Sequence, residues 1–277
     1  MPELPEVETI VRALRKGGRG DVSIVQRRIH SVDLRWARTL ASPKIEDFSK
    51  RIIGHQITDV TRRGKFIIIH LDEGFILVHL RMSGDLRVTA PPIPAPAPHD
   101  RLIITFEDGH GLIFNDPRKF GRVWLTNDPS EVTGNLGPEP FDLTFTPGIF
   151  YQNLHRRKKY IKSLLLDQSF VAGLGNIYVD ESLFKAGIFP LRLSNTLSIQ
   201  EANKLLEAIR ETLKDGINNN GASIDWVYRG GDYQNKFRVY QQTGKPCQIC
   251  GSPIERIVAG QRGTHYCPKC QPKGVDK

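Results

Sequence analysis

The four cysteines form the clearest chemical pattern in the sequence. Two residues separate Cys247 from Cys250 and Cys267 from Cys270, and sixteen residues separate the two pairs. This spacing is typical of a tetrahedral four-thiolate zinc site. Two disulfides are the alternative, but disulfides are rare in cytosolic proteins. We predict one structural Zn²⁺, because four thiolates leave no open coordination position for catalysis.

A second candidate for chemistry is the amine of Pro2. Removal of Met1 exposes a secondary amine, and an α-amino pKa of about 7.7–8.0 leaves much of it unprotonated near neutral pH. Such an amine can attack an electrophilic carbon and form an iminium. Glu3 and Glu6 lie next to it as a candidate acid and base, although glutamates in a first helical turn usually interact with the helix dipole.

Two apolar residues lie in otherwise polar turn sequences. Met82, the only methionine besides Met1, precedes Ser-Gly, and Phe120 follows Arg118 and a lysine. Apolar side chains beside an arginine can unstack a base pair and fill the gap that remains. Burial in the core is the alternative and the more common fate of both residue types. The proline and glycine on either side of the Arg-Lys-Phe run favour a loop tip.

A glycine-rich turn spans residues 171–178. It partly matches the dinucleotide-binding pattern, but Tyr178 occupies the third glycine position and no predicted strand precedes it, so that interpretation is weak. Backbone amides at the start of a helix can form a phosphate-binding site, and Asn176 adds a side-chain donor. A tight turn between two helices without a ligand is the alternative, and both stay open.

The charge is concentrated in the second half of the chain. The 277 residues carry 39 basic and 30 acidic side chains, a net charge of +9. Residues 1–150 have 20 basic and 19 acidic side chains, and residues 151–277 have 19 and 11. This distribution indicates a polyanionic partner bound mainly by the second half, with a solvated basic surface as the alternative. The acidic start and the lack of a long apolar run predict a cytoplasmic protein without a membrane segment.

The periodicity of apolar residues changes along the chain. Val7, Ile10, Val11 and Leu14 predict an amphipathic helix. The β-rich runs that follow predict a sandwich, with strands at 22–27, 56–62, 66–71, 75–80, 85–89, 102–106, 111–114 and 122–126.

A Gly- and Pro-rich linker precedes a helical part. Helices are predicted over 149–166, 177–185 and 199–215, the last with a capping box of Ser198 and Glu201. The fold class is therefore α+β and multidomain. The predicted domains are a β-sandwich with an N-terminal helix (1–135), a linker (136–148), a helical domain (149–236) and a zinc ribbon (237–271).

Taken together, these stretches make the sequence resemble the bacterial formamidopyrimidine-DNA glycosylase (Fpg) family, in one collinear order over essentially the whole chain. The matching stretches are residues 2–8, 63–66, 79–84, 116–121, 137–140, 171–183 and 263–271. The resemblance implies that the helical domain is of the helix–two-turn–helix type, with damaged double-stranded DNA in a cleft between the domains. It also implies a bifunctional glycosylase and lyase that removes oxidised purines and then nicks the strand.

The resemblance also implies roles for individual residues. Pro2 is the nucleophile that attacks the sugar C1′, Glu3 is the general acid, and Glu6 is a supporting carboxylate. Lys65 corresponds to the lysine of β-elimination and phosphate contact, and Arg262 to the arginine of δ-elimination. The residues implied to contact DNA are His99, Arg157 and Asn176, together with the void-filling Met82, Arg118 and Phe120.

Some positions depart from the family pattern. Arg157 stands where lysine is usual, and Ser163 replaces a common proline. Residues 220–223 differ from the usual two glycines and hydroxyl residues, and the stretch to Tyr240 is shorter, which leaves the lesion preference open. One alternative is an endonuclease VIII-like glycosylase for oxidised pyrimidines. Another is a non-catalytic zinc-ribbon DNA-binding protein. A monomer is expected.

Overall fold

The computed structural model describes residues 1–18, 22–223 and 230–273. The chain divides into two compact units. The first consists of Met1–Asn135 and Asn220–Gly231, and the second of Leu136–Asn219 and Asp232–Lys277. In the described ranges, no helix has both the length and the apolar character needed to cross a bilayer.

Two sheets build the first unit. The strands of this unit are β1 (Ile29–Leu34), β2 (Leu40–Ser42), β3 (Ile57–Arg63), β4 (Phe66–Leu71), β5 (Phe75–His79), β6 (Asp85–Thr89), β7 (Asp100–Phe106), β8 (Gly111–Asn115) and β9 (Arg122–Thr126). One sheet has the order β1-β7-β8-β6 and the other the order β2-β9-β5-β4-β3. Neighbouring strands run antiparallel, except for the parallel pair β2 and β9. The predicted strands from residue 56 to residue 126 are confirmed.

The core of the first unit is formed by apolar side chains of both sheets. Ile69 and Val78 of one sheet and Leu102 and Leu112 of the other belong to one buried cluster. Helix α1 (Leu4–Lys16) adds its apolar stripe of Val7, Ile10, Val11 and Leu14 to the same cluster, as its spacing predicts. This helix therefore anchors the N-terminal residues to the sandwich.

The predicted strand at 22–27 is wrong. The Ile24 amide donates to the Leu14 carbonyl at 2.8 Å, and the Arg27 amide donates to the Ile24 carbonyl at 3.2 Å. Gln26 has a φ of +71°, which a strand does not accommodate. Ile24 is fully buried and belongs to the core cluster although it lies in a turn, whereas Val22 is exposed. Two short helices, α2 (Ile45–Ile52) and α3 (Ser130–Thr133), have no counterpart in the sequence prediction.

The second unit is helical and ends in a hairpin. Its elements are α4 (Pro147–His155), α5 (Ile161–Leu166), α6 (Asn176–Ala186), α7 (Ile199–Asn218), β10 (Glu255–Ala259) and β11 (Arg262–Tyr266). The capping box of α7 is confirmed: the Glu201 amide donates to Ser198 Oγ, and the Ser198 amide donates to Glu201 Oε2 at 2.8 Å. The hairpin of the zinc ribbon is also present.

The single predicted helix over 149–166 is wrong, because the chain breaks between α4 and α5. Tyr160 forms a β-bridge with Leu193. The Ser194 amide donates to the Lys159 carbonyl at 2.8 Å. The bond from Ser194 replaces the helical hydrogen bond that the Lys159 carbonyl would otherwise accept.

Candidate active site and zinc site

The N-terminal residues are held by the carboxylate of Glu6. Glu3 and Glu6 are 3% and 2% exposed, and Pro2 is buried as well. The Glu3 amide donates to Glu6 Oε2 at 2.7 Å, and the Ala222 amide donates to Glu6 Oε1 at 2.7 Å. Glu6 therefore connects the start of α1 to the segment around residue 222. The structure brings together the three predicted residues Pro2, Glu3 and Glu6.

Gly221 packs directly against this carboxylate. A Cβ atom built on Gly221 would lie 2.7 Å from Glu6 Oε1 and 2.8 Å from its Cγ, and the φ of Gly221 is +77°. Both observations require glycine at this position. Gly221 and Ala222, in the segment that departs from the family pattern, thus lie against the N-terminal site, and residues 224–229 lie outside the described residues.

Lys65 lies at the turn between β3 and β4, and it is only 4% exposed. Its charge acts on His79, at the end of the neighbouring strand β5. Burial, together with the positive charges of Arg81 and Lys65, lowers the pKa of His79 to about 3. The imidazole is therefore neutral, and its Nδ1 accepts a hydrogen bond from the Arg81 amide at 3.0 Å. The sequence analysis gave His79 no role.

The structure contradicts the interpretation of Met82 and Phe120 as core residues. Met82 is 40% exposed and Phe120 is 53% exposed. Arg118 is exposed too, and its Nη1 donates to Met82 Sδ at 3.7 Å. The three predicted void-filling residues thus come from two turns, and two of them are in contact.

A buried pair of polar residues joins these two turns. Ser83 and Asp116 are 2% and 1% exposed, and the Ser83 hydroxyl donates to Asp116 Oδ1. The Arg118 amide donates to Ser83 Oγ at 3.1 Å and to Asp116 Oδ1 at 3.2 Å, and the Gly121 amide donates to Asp116 Oδ2 at 2.7 Å. The Ser83–Asp116 pair therefore fixes the turn of Met82 relative to the turn of Arg118.

The ring of Phe114 lies beneath both turns. A Cβ atom on Gly84 would lie 2.8 Å from Phe114 Cε2, and one on Gly121 would lie 2.3 Å from Phe114 Cζ. Either contact is closer than packed atoms tolerate, so both turns need glycine to sit on this ring. The segment of the exposed His99 is attached to the same two turns, because the Asp116 amide donates to the His99 carbonyl at 2.9 Å.

In the second unit, Asn176 begins helix α6 after the glycine-rich turn. Gly175 is the extended N-cap residue, and the Gly173 amide donates to Gln168 Oε1 at 3.0 Å. In the described part of this unit no strand precedes the turn, which excludes the dinucleotide-binding arrangement. Asn176 Nδ2 donates to the Gly263 carbonyl at 3.0 Å. Arg157 is exposed in the basic run between α4 and α5.

Arg262 is exposed at the start of strand β11, next to the turn of the hairpin. Its cross-strand neighbour is Ala259, the last residue of β10. The hairpin reaches the helices of its own unit through the Gly263 carbonyl, which accepts from both Asn176 and Lys162. The predicted residues Arg262 and Asn176 are therefore close together in the second unit.

The four cysteines have the geometry of a zinc site. Their sulfur atoms lie within 4.8 Å of one another, with 3.9 Å between Cys247 and Cys270 and 3.4 Å between Cys250 and Cys267. A Zn–S bond of about 2.3 Å places tetrahedral sulfur atoms about 3.8 Å apart. The cysteines are not joined in disulfides. The donor set therefore fits one Zn²⁺, as predicted, and excludes the disulfide alternative.

Family models match three successive regions of the chain. The Formamidopyrimidine-DNA glycosylase N-terminal domain matches residues 1–123, and the Formamidopyrimidine-DNA glycosylase H2TH domain matches residues 136–227. A zinc finger found in FPG and IleRS matches residues 244–273. The three matches follow the order of sandwich, helices and hairpin in the structure.

Curated relatives match the chain over nearly its whole length. It is 42% identical over 282 residues to the formamidopyrimidine-DNA glycosylase of Protochlamydia amoebophila. The alignment covers 99% of this chain and 100% of the relative. The enzyme of Chloroflexus aggregans is 44% identical over 279 residues, with 98% of each chain covered.

Solved structures with the same architecture contain DNA. Lactococcus lactis Fpg in a complex with DNA that contains an abasic site has a TM-score of 0.89 and 38% identity, over 98% of this chain and 100% of that one. A complex of the same enzyme with DNA that contains Fapy-dG gives the same values. From its domain matches and relatives, this chain belongs to the formamidopyrimidine-DNA glycosylase family.

Proposed function

We propose that this protein is a bifunctional DNA glycosylase and abasic-site lyase of base excision repair. Its substrates are oxidised purines, namely 8-oxoguanine and formamidopyrimidines, in duplex DNA. The observation that carries the proposal is the N-terminal segment, in which Pro2 and the carboxylates of Glu3 and Glu6 are held together at the start of α1. A protein that only binds DNA has no use for an amine beside two buried carboxylates.

The reaction begins when the Pro2 amine, exposed by removal of Met1, attacks C1′ of the damaged nucleotide. A bond forms between the proline nitrogen and C1′, and the bond from C1′ to the base breaks. Glu3 supplies a proton to the sugar oxygen as the ring opens, which leaves an iminium on the open sugar. The iminium makes the C2′ proton acidic, so the same covalent intermediate serves base removal and strand cleavage.

Strand cleavage follows in two eliminations. Loss of the C2′ proton expels the 3′ phosphate in β-elimination. Lys65 assists this elimination and contacts the neighbouring phosphate. A second elimination expels the 5′ phosphate, and Arg262 acts in this δ step. The buried charge of Lys65 suits both tasks, because a charge shielded from water interacts strongly with a phosphate.

Base removal inside a duplex requires that the nucleotide leave the stack, which costs a few kcal/mol. Met82 and Phe120 fill the resulting gap, and Arg118 faces the unpaired cytosine. Their exposure and their shared support on Ser83 and Asp116 suit this role. His99, Arg157 and Asn176 contact the DNA backbone. The zinc ion holds the turns at the base of the hairpin and takes no part in the chemistry.

Borohydride trapping on a duplex with 8-oxoguanine opposite cytosine tests the proposal. The wild-type protein is compared with a Pro2→Gly variant, and mass spectrometry establishes whether Met1 has been removed. We expect a covalent adduct at Pro2 that is lost or greatly weakened in the variant. His30→Asn, at an exposed histidine for which no role is proposed, serves as a control for handling and DNA binding.

Other outcomes would favour the alternatives. An adduct on a duplex with an oxidised pyrimidine, and none on 8-oxoguanine, would make this an endonuclease VIII-like enzyme. Intact DNA binding without an adduct on any lesion would make it a non-catalytic binding protein. We further propose that it acts as a monomer in the bacterial cytoplasm, and that its domains have the boundaries predicted from the sequence.

A further inference from the structure

Two fully buried charged residues contact the outer edge of strand β11. Lys162 of α5 and Asp180 of α6 are both 0% exposed, and Lys162 Nζ lies 2.6 Å from Asp180 Oδ1. Lys162 Nζ also donates to the Gly263 carbonyl at 3.0 Å. Asp180 Oδ2 accepts from the amide of His265 at 2.9 Å. The ion pair therefore binds one backbone carbonyl and one backbone amide of the same strand.

These two backbone groups lie on the same edge of β11. Residues two apart in a strand point their hydrogen-bonding groups to the same side, and β10 occupies the other side through alternate residues. The Lys162–Asp180 pair thus makes the bonds that a third strand would make. Because buried backbone groups need partners, a shift of β11 along the helices would leave the Gly263 and His265 groups unpaired.

Two further contacts fix the hairpin at the same place. Asn176 Nδ2 donates to the Gly263 carbonyl at 3.0 Å, so this carbonyl joins the start of α6 to the residue that follows Arg262. At the hairpin turn, a Cβ atom on Gly260 would lie 2.9 Å from Oγ of Ser163, the residue that follows Lys162. The serine that departs from the family pattern therefore lies directly beneath this turn.

We propose that Lys162 and Asp180 are positioning residues for Arg262, and that they control the δ-elimination step; this rests on the proposed function. Arg262 has a long side chain at the exposed end of a two-stranded ribbon, and such a ribbon is marginally stable by itself. Its guanidinium can act at a defined phosphate only if the backbone beneath it is fixed. A displacement of about 1 Å at a reacting group can lower a rate by about 100-fold.

The test removes both charges, because either residue alone would leave a buried charge without its partner. The double variant Lys162→Met/Asp180→Asn keeps the volume of the site close to that of the wild type. The matched control is Lys185→Met/Glu211→Gln, which removes an exposed ion pair of α6 and α7 with 2.7 Å between Nζ and Oε2. Arg262→Ala is the reference for loss of the arginine itself.

Each zinc-loaded protein is incubated with a duplex that contains a preformed abasic site. Three quantities are measured: the rate of borohydride trapping, the ratio of δ- to β-elimination products, and the zinc bound per chain. For the double variant we expect unchanged zinc, trapping within about twofold of the wild type, and a product ratio lower by roughly 10- to 100-fold. The exposed-pair control keeps the wild-type ratio.

An unchanged product ratio in the zinc-loaded double variant would overturn the proposal. If that variant loses zinc, the double variant Lys162→Gln/Asp180→Asn, which also removes both charges but keeps a donor and an acceptor, is measured in the same way. Loss of zinc in this variant as well would show that the pair only stabilises the ribbon, and it would overturn the proposal too. A wild-type ratio in Arg262→Ala would show that the proposed role of Arg262 is wrong. Absence of trapping in the wild type would instead refute the proposed function.

Discussion

The buried imidazole of His79 makes the stability of the first unit depend on pH. The side chain is 8% exposed, and its pKa is lowered to about 3, first by burial and then by the charges of Arg81 and Lys65. Its Nδ1 accepts from the Arg81 amide, where the backbone has a φ of +55° just before Met82. Protonation of this nitrogen would replace an acceptor with a donor facing the amide and disrupt the turn.

The magnitude follows from the two pKa values of His79. In the unfolded chain the imidazole binds a proton near pH 6.5, whereas in the folded protein it stays neutral down to about pH 3. The unfolded state therefore binds more protons between these values, and stability is lost as the pH falls below 6.5. One such group changes the free energy of unfolding by about 1.4 kcal/mol per pH unit, which amounts to about 2 kcal/mol at pH 5.

Urea unfolding of the wild type and of a His79→Asn variant between pH 5 and pH 7.5 measures this effect. Asparagine Oδ1 can accept the Arg81 amide in place of Nδ1 but does not titrate in this range. We expect the variant to lose about 2 kcal/mol less than the wild type between pH 7.5 and pH 5. His30→Asn, at an exposed histidine, is the matched control. Parallel curves for the wild type and His79→Asn would refute the reasoning.

Three further predictions concern the turns and the zinc site. Ser83→Ala removes hydrogen bonds to Asp116 and Arg118, worth about 1.5–3 kcal/mol, so in steady-state kinetics we expect KM for a lesion duplex to rise about tenfold, with a smaller change in kcat. Gly121→Ala places a Cβ atom 2.3 Å from Phe114 Cζ, and urea unfolding should show a loss of about 1–3 kcal/mol. Removal of zinc with a chelator should unfold the ribbon and weaken DNA binding in a fluorescence-anisotropy titration, with recovery on adding Zn²⁺.

Elements with a regular apolar period could be predicted from the sequence. The helix at Leu4–Lys16 and the strands from Ile57 to Thr126 each bury a face whose spacing is visible in the chain. The zinc ligands could be predicted equally well from the sequence, because the two Cys-x-x-Cys spacings identify them. Where the period was ambiguous, as in the segment around Ile24, the buried apolar side chain comes from a turn and not from a strand.

The residues that support the site could not be assigned in this way. Ser83 bonds to a residue 33 positions away, and Lys162 bonds to a carbonyl 101 positions away. Buried polar groups of this kind have no local period, since their partners are brought to them by the fold. One feature of the sequence pointed to these two supporting residues. Ser83 and Asp116 lie inside the stretches that resemble the family, within two residues of side chains with proposed DNA contacts.

Buried carboxylates support three of the segments that carry proposed functional side chains. Glu6, Asp116 and Asp180 are each almost fully buried, and each accepts backbone amides. The amides concerned are those of Glu3, Ala222, Arg118, Gly121 and His265. A carboxylate offers only acceptors, so both of its oxygens can face N–H groups, and its charge strengthens the bonds. An amide of the same shape would turn an NH₂ group toward at least one of these donors. The exposed arginines and the methionine therefore depend on backbone that these buried carboxylates hold in place.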